Sequence, residues 1–122
     1  MDTSDEGNSV RLLREPITRV ELRTTAQERF GDMVKAVVDI EQGIMAIGGE
    51  MHADEEQALI ANGSLQSALW GINLYVDAVD DAFIEFDSMI NIRPRQGNRS
   101  RSVEDLSVQQ KIRAIVSALI FP

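Results

Sequence analysis

Apolar and polar residues alternate along residues 83–92. Ile84, Phe86, Ile90 and Ile92 fall on one side of an extended chain, with Ser88 between them. Glu85, Asp87 and Asn91 fall on the other side, with Met89. A period of two predicts a strand with one buried and one polar face. Pro94 ends it, having no N–H for a ladder. Residues 69–76 predict a second strand, with Trp70, Ile72 and Leu74 on one face and Gly71, Asn73 and Tyr75 on the other. The acidic turn at 77–81 joins the two, so they are expected to pair as a hairpin. That pairing sets Asn73 and Tyr75 on the same side as Glu85, Asp87 and Asn91.

Upstream, residues 10–14 suit a short edge strand, broken by Pro16. Thr18 and Glu21 form a capping box, and Leu22, Ala26 and Phe30 follow at a spacing of four. Gly31 is a stop signal, so the first helix is predicted over 19–30. Valine-rich 33–41 and apolar 44–48 flank a Gln42-Gly43 turn, which predicts a central hairpin with both faces covered. A short helix follows over 55–62, with Asp54 as N-cap and Gln57 three residues on. The last helix starts at Glu104-Asp105, and Val108, Ile112, Ile115, Val116 and Leu119 make its apolar stripe. The order β-α-β-β-α-β-β-α predicts an α+β domain over 10–122: an antiparallel sheet built from two β-hairpins, with helices packed on one face. Residues 1–9 read as a disordered acidic tail.

Composition narrows the functional classes. At 122 residues, the chain suits one domain with one core. Its 43% apolar and 26% charged residues are those of an ordinary soluble domain. No stretch has the length of a membrane helix, residues 1–9 lack a secretory h-region, and there is no cysteine, so a cytoplasmic location is expected. A net charge of −8 argues against general nucleic-acid binding and against membrane association. The charge is uneven, however. Arg93, Arg95, Arg99 and Arg101 give residues 93–101 a charge of +4, which leaves −12 on the rest of the chain.

That contrast supplies the first candidate site. Arg93, Arg95, Arg99 and Arg101, with Asn98, would form a loop at a helix start. Guanidinium forks and free N–H groups there suit a small anionic ligand. Asn73, Glu85, Asp87 and Asn91 would be the polar face leading into it. The competing reading is internal pairing of these arginines with Glu85, Asp87, Glu104 and Asp105. A second candidate is Glu50, His52 and Asp54. In an extended segment these three point the same way and suit a divalent metal, the one cofactor the sequence suggests. Glu85 and Asp87, about 6–7 Å apart along a strand, could do acid–base work. No serine lies in a nucleophile elbow, and the single histidine must serve any triad, which argues against acyl transfer.

Residues 69–75 (LWGINLY) with 84–101 (IEFDSMINIRPRQGNRSR), and 31–56 (GDMVKAVVDIEQGIMAIGGEMHADEE), resemble a bacterial family of uncharacterised proteins, a domain of unknown function. The resemblance covers most of the chain from about residue 14. Its relatives usually carry a proline after the tyrosine of LWGINLY and another just after Val-Glu-Asp, where this chain has Val76 and Leu106. The second departure removes a helix-starting proline. The resemblance implies no activity and no catalytic residue.

Three functions remain open on this reading. The first is a small binding or regulatory module that recognises an anionic ligand or partner carboxylate through Arg95, Arg99 and Arg101. The second is a metal-dependent hydrolase or lyase using His52, Asp54, Glu85 and Asp87. The third is a homodimeric interaction protein that completes an open sheet edge.

Overall fold

A valine-rich segment and an apolar one form the centre of the molecule. The computed structural model describes residues 10–122; the expected acidic tail lies outside them. Strands β3 (Met33–Asp39) and β4 (Ile44–Ile47) make the predicted hairpin, with Gly43 at φ +70° in its turn. β1 (Arg11–Leu13) adds to the free side of β4. β5 (Leu69–Tyr75) pairs with β3, and β6 (Ile84–Glu85) with β5. The five-stranded sheet therefore runs β1-β4-β3-β5-β6, antiparallel at every step. Two short strands absent from the sequence reading, β2 (Ile17–Thr18) and β7 (Ile120–Phe121), form a separate parallel pair. They tie the start of helix α1 (Arg19–Gln27) to the end of the last helix, α3 (Leu106–Leu119).

The alternation of each strand sorts its residues between two layers. Val34, Ala36, Val38, Met45, Ile47, Trp70, Ile72 and Leu74 face one side. There they pack with Leu22 and Ala26 of α1 and with Ile112, Val116 and Leu119 of α3. On the other side Val37, Ile44, Ala46 and Leu69 pack with Leu59 of helix α2 (His52–Ala61). Helices thus cover both faces, where one covered face was expected. The covered hairpin is the reason: Val37 and Ala46 are apolar on the second face as well, and that surface needs its own helix.

Helix ends follow local chemistry. α1 keeps the Thr18–Glu21 capping box but stops at Gln27, and Phe30 is 40% exposed instead of joining Leu22 and Ala26. α3 starts one residue after its N-cap, Asp105, whose side chain accepts from the Ser107 amide. α2 begins at His52, with Met51 at the cap and no side-chain cap bond, so Asp54 lies inside the helix.

The largest departure is the strand expected over 83–92. Only Ile84 and Glu85 enter the sheet. Ser88 and Asn91 then turn inward, and residues Met89–Asn91 form a single 3-10 turn. Ile84 and Phe86 pack on one core and Ile90 on the other, so the alternating apolar residues do not share a face. Gly71 allows this crossing. A Cβ there would stand 2.5 Å from Ser88 Cβ and 3.1 Å from Ile90 Cγ1. Gly71→Ala is therefore expected to cost about 1–3 kcal/mol, the usual range for overpacking. Urea unfolding reads this as a lowered midpoint, and an unchanged midpoint would show that residues 88–90 move aside freely.

Candidate functional site

Helix α2 covers only part of its face of the sheet. What it leaves bare is a row of paired residues: Lys35 opposite Asn73, and Asn73 opposite Glu85. The next row pairs Met33 with Tyr75. Strand geometry sends all five side chains to this face. The first turn of α2 brings His52 to one side, and residues 87–90 and Arg101 form the opposite rim. The result is a cleft of about 490 Å³ with a polar floor and with Met33, Met51 and Met89 around it.

The floor is tightly bonded along one line. Asn73 Nδ2 donates to Glu85 Oε1 at 2.9 Å and to the Asp87 carbonyl at 3.2 Å. Tyr75 Oη donates to the same Glu85 oxygen at 3.0 Å. Burial, then this bond, pushes the Tyr75 pKa up. Arg101 Nε donates to Asp87 Oδ1 at 2.6 Å, an ion pair that raises the arginine pKa. Asn73 is only 6% exposed, and its Oδ1 has no hydrogen-bond partner. Both partners of Nδ2 are oxygens, so the amide orientation is set and Oδ1 is the unpartnered acceptor.

His52 is held in one tautomer. One ring nitrogen, Nε2, lies 2.8 Å from the Ile72 carbonyl, so it carries the proton and donates. The Asn73 side chain is a second hydrogen-bond neighbour of the ring. Burial lowers the His52 pKa, with the Ile72 carbonyl bond pulling the other way. The residues leading into His52 are pinned from behind. Arg29 Nε donates to the Gly48 carbonyl at 2.9 Å, and the Gly49 amide donates to Glu55 Oε2 at 2.9 Å. Glu55 is fully buried and its Oε1 is unpartnered; burial pushes its pKa well up.

These shifts give opposite pH dependences. The folded protein binds fewer protons at His52 than the unfolded chain does. Its contribution to stability is complete above pH 6.5 and is lost as pH falls through the lower folded pKa. Glu55 binds protons more tightly when folded. Its contribution is complete below pH 4.5 and is lost as pH rises through the raised pKa. Glutamine reproduces the protonated shape of Glu55. The melting temperature of Glu55→Gln should therefore match the parent at pH 4.5 and exceed it at about pH 8. Parallel melting curves across that range would refute the buried-acid account.

The structure separates the residues singled out from the sequence. Asn73, Glu85, Asp87, Arg101 and His52 meet in the cleft. Arg93 serves the fold: it stacks over the Trp70 ring at 4.3 Å and donates to the carbonyls of Gln66 and Leu69. Asn91 and Asn98 are buried and bonded to backbone groups. Arg95 and Arg99 do not line the cleft. The amides of Arg99 and Ser100 hold an internal anion, the Glu104 carboxylate, at 2.9 and 2.8 Å. The hydroxyl and amide of Ser100, with the Arg99 amide, lower the pKa of Glu104.

Glu50, His52 and Asp54 do not converge. The chain is helical from His52, so His52 and Asp54 stand about 200° apart around the axis. Glu50 pairs with Arg29 at 3.8 Å. Among the described residues, no three His, Cys, Asp or Glu side chains are placed to share a metal. Lys35, the one basic residue in a valine-rich strand, is the signal in the sequence that marks this face.

Residues 11–119 match the family described as Protein of unknown function (DUF5674). The chain belongs to that family. No curated protein and no solved structure matches it. The DUF5674 match spans every element that builds the cleft, from β3 to Arg101. No helix of the described residues is long and apolar enough to cross a membrane.

Proposed function

We propose that the protein is a small binding or regulatory module whose site for an anionic ligand is the cleft over Lys35, Asn73 and Glu85. The single observation that carries this is Lys35. Of the two cations in the cleft, Arg101 is paired with Asp87, whereas Lys35 has no carboxylate within ion-pairing distance among the described residues. The Lys35 ammonium stands 5.3 Å over the Phe30 ring at the edge of the cleft, a contact that leaves its N–H donors free for a carboxylate or phosphate. Of the arginine loop, only Arg101 takes part.

The test is a thermal-shift screen with acetate, inorganic phosphate and small carboxylates. An anion should raise the melting temperature of the parent, of Arg95→Ala and of Arg99→Ala, and leave Lys35→Met unmoved. Abolition of the response by Arg99→Ala would return the site to the loop. No response to any anion would end the proposal.

A second reading, a hydrolase or lyase, draws on His52 sharing the cleft with Glu85 and Asp87. A divalent metal there would need those three groups to close around it. Retention of zinc or manganese after dialysis by the parent, and not by His52→Gln, is the expected result under this reading.

A further inference from the structure

We infer that the anion bound here carries an apolar body, and that the ligand is a medium-chain monocarboxylate. This rests on the anion site proposed above and adds what lies beyond the charge. Large apolar side chains stand exposed where the Lys35 ammonium is held. Phe30, beneath that ammonium, is exposed, and Met51 and Met89 are each more than half exposed. Met33 links them, because it lines both the hollow beside Phe30 and Lys35 and the cleft itself. The four side chains make a rim that starts at the cation and runs to the far side of the cleft. Apolar groups gathered in this way mark a binding surface, whereas single exposed ones do not. Unbranched thioether chains also adapt to a ligand of variable shape.

Charge selects the head group. Lys35 and Arg101 bring two positive charges to the cleft, and Glu85 and Asp87 bring two negative ones. Burial lowers the His52 pKa, so the ring adds no charge at neutral pH. The cleft is therefore balanced before a ligand enters. A carboxylate adds one negative charge near Glu85 and Asp87, where a phosphate dianion adds two. Topology sets the length. Lys35 lies on β3, and the opposite rim follows β6, two strands away across β5. At the usual spacing between strands that is roughly 10 Å, within reach of an extended medium-chain acid and beyond that of acetate. Lying along the rim, the hydrocarbon covers the methionines and leaves the exposed Glu85 carboxylate in water.

The experiment is an amide-shift titration of the full chain with octanoate at neutral pH. Four probes run beside it: acetate, which lacks the apolar body; octanamide, which lacks the charge; octyl phosphate, which carries the larger charge; and N-acetyl-L-leucine, which sets the carboxylate on a peptide end. Octanoate should shift the amides of Met33, Lys35 and Met51 and bind at least about tenfold more tightly than acetate or octanamide. Lys35→Met should bring octanoate down to the level of octanamide. Met51→Ser combined with Met89→Ser should bring it toward acetate, with the acetate response itself unchanged. If acetate binds as tightly as octanoate, the apolar body is overturned and the anion site stands. If octanamide does so, the carboxylate is overturned, and the anion reading with it. Tighter binding of octyl phosphate overturns the single charge, and tighter binding of N-acetyl-L-leucine overturns the free acid in favour of a chain end. If neither octanoate nor any anion shifts these amides, both readings fall.

Discussion

Asn91→Ala is expected to lower the unfolding free energy by about 3 kcal/mol, because it strands three backbone groups in the interior. The Asn91 side chain stands in for a missing strand. The N–H and C=O of Gly71 point away from β3, toward the edge where β6 has already ended. Asn91 Oδ1 accepts from the Gly71 amide at 2.8 Å, and Asn91 Nδ2 donates to the Gly71 carbonyl at 2.9 Å. The same Nδ2 reaches the Arg101 carbonyl at 2.9 Å, which sets the rim of the cleft. Alanine cannot replace any of these bonds, and the residue is fully buried, so water does not substitute. Chemical denaturation should show the loss, and the anion response should weaken with it because Arg101 loses its support. A variant within about 0.5 kcal/mol of the parent would show that the Gly71 groups find other partners.

Asn91 also marks where the sequence stops being legible. The alternation of 83–92 is a true pattern, and its first part reports correctly: Asn73 and Glu85 pair as expected. The second part has the same period for a different reason. Ser88 and Asn91 face inward because they carry hydrogen bonds, and no periodicity distinguishes a polar residue that faces water from one that replaces a strand. The arginine loop fails to read for a similar cause. Arg93 and Arg99 have the same composition signal, yet one is stacked on Trp70 and the other contributes its backbone amide to Glu104. The helices read well because capping and stripes are local. The Thr18–Glu21 box and the α3 stripe both depend on neighbours three or four residues away. The cleft depends on β3, β5, β6 and the start of α2, which lie far apart in the chain. Glu50, His52 and Asp54 make a metal set only in an extended segment. Once it is helical, the same histidine faces Asn73 instead.

Asp39→Ala should lose about 4 kcal/mol while leaving the ligand response of the cleft intact, which separates scaffold from site. Asp39 ends β3 on the same face as Lys35, about 13 Å further along the strand. Like the acids of the cleft, it is a carboxylate on a sheet face. Its surroundings differ. Oδ1 accepts from the amides of Glu41 and Gln42, both at 2.9 Å, and closes the β3–β4 turn. Oδ2 accepts from Ser64 Oγ at 2.6 Å and from Gln42 Nε2 at 3.1 Å, and so ties that turn to the residues following α2. Every oxygen is used and the residue is fully buried, so nothing remains to bind a ligand. Alanine leaves two turn amides and a serine hydroxyl without acceptors. Asparagine keeps Oδ1 and can still donate to Ser64 Oγ, so Asp39→Asn should lose less than half as much. Urea unfolding of the two variants gives the gradation, and anion titration at a temperature where both are folded gives the response. Equal losses in the two would show that charge, not bonding, holds the turn. A weakened response in the folded alanine variant would show that turn and cleft are coupled through β3, and that the site extends further along the strand than Lys35.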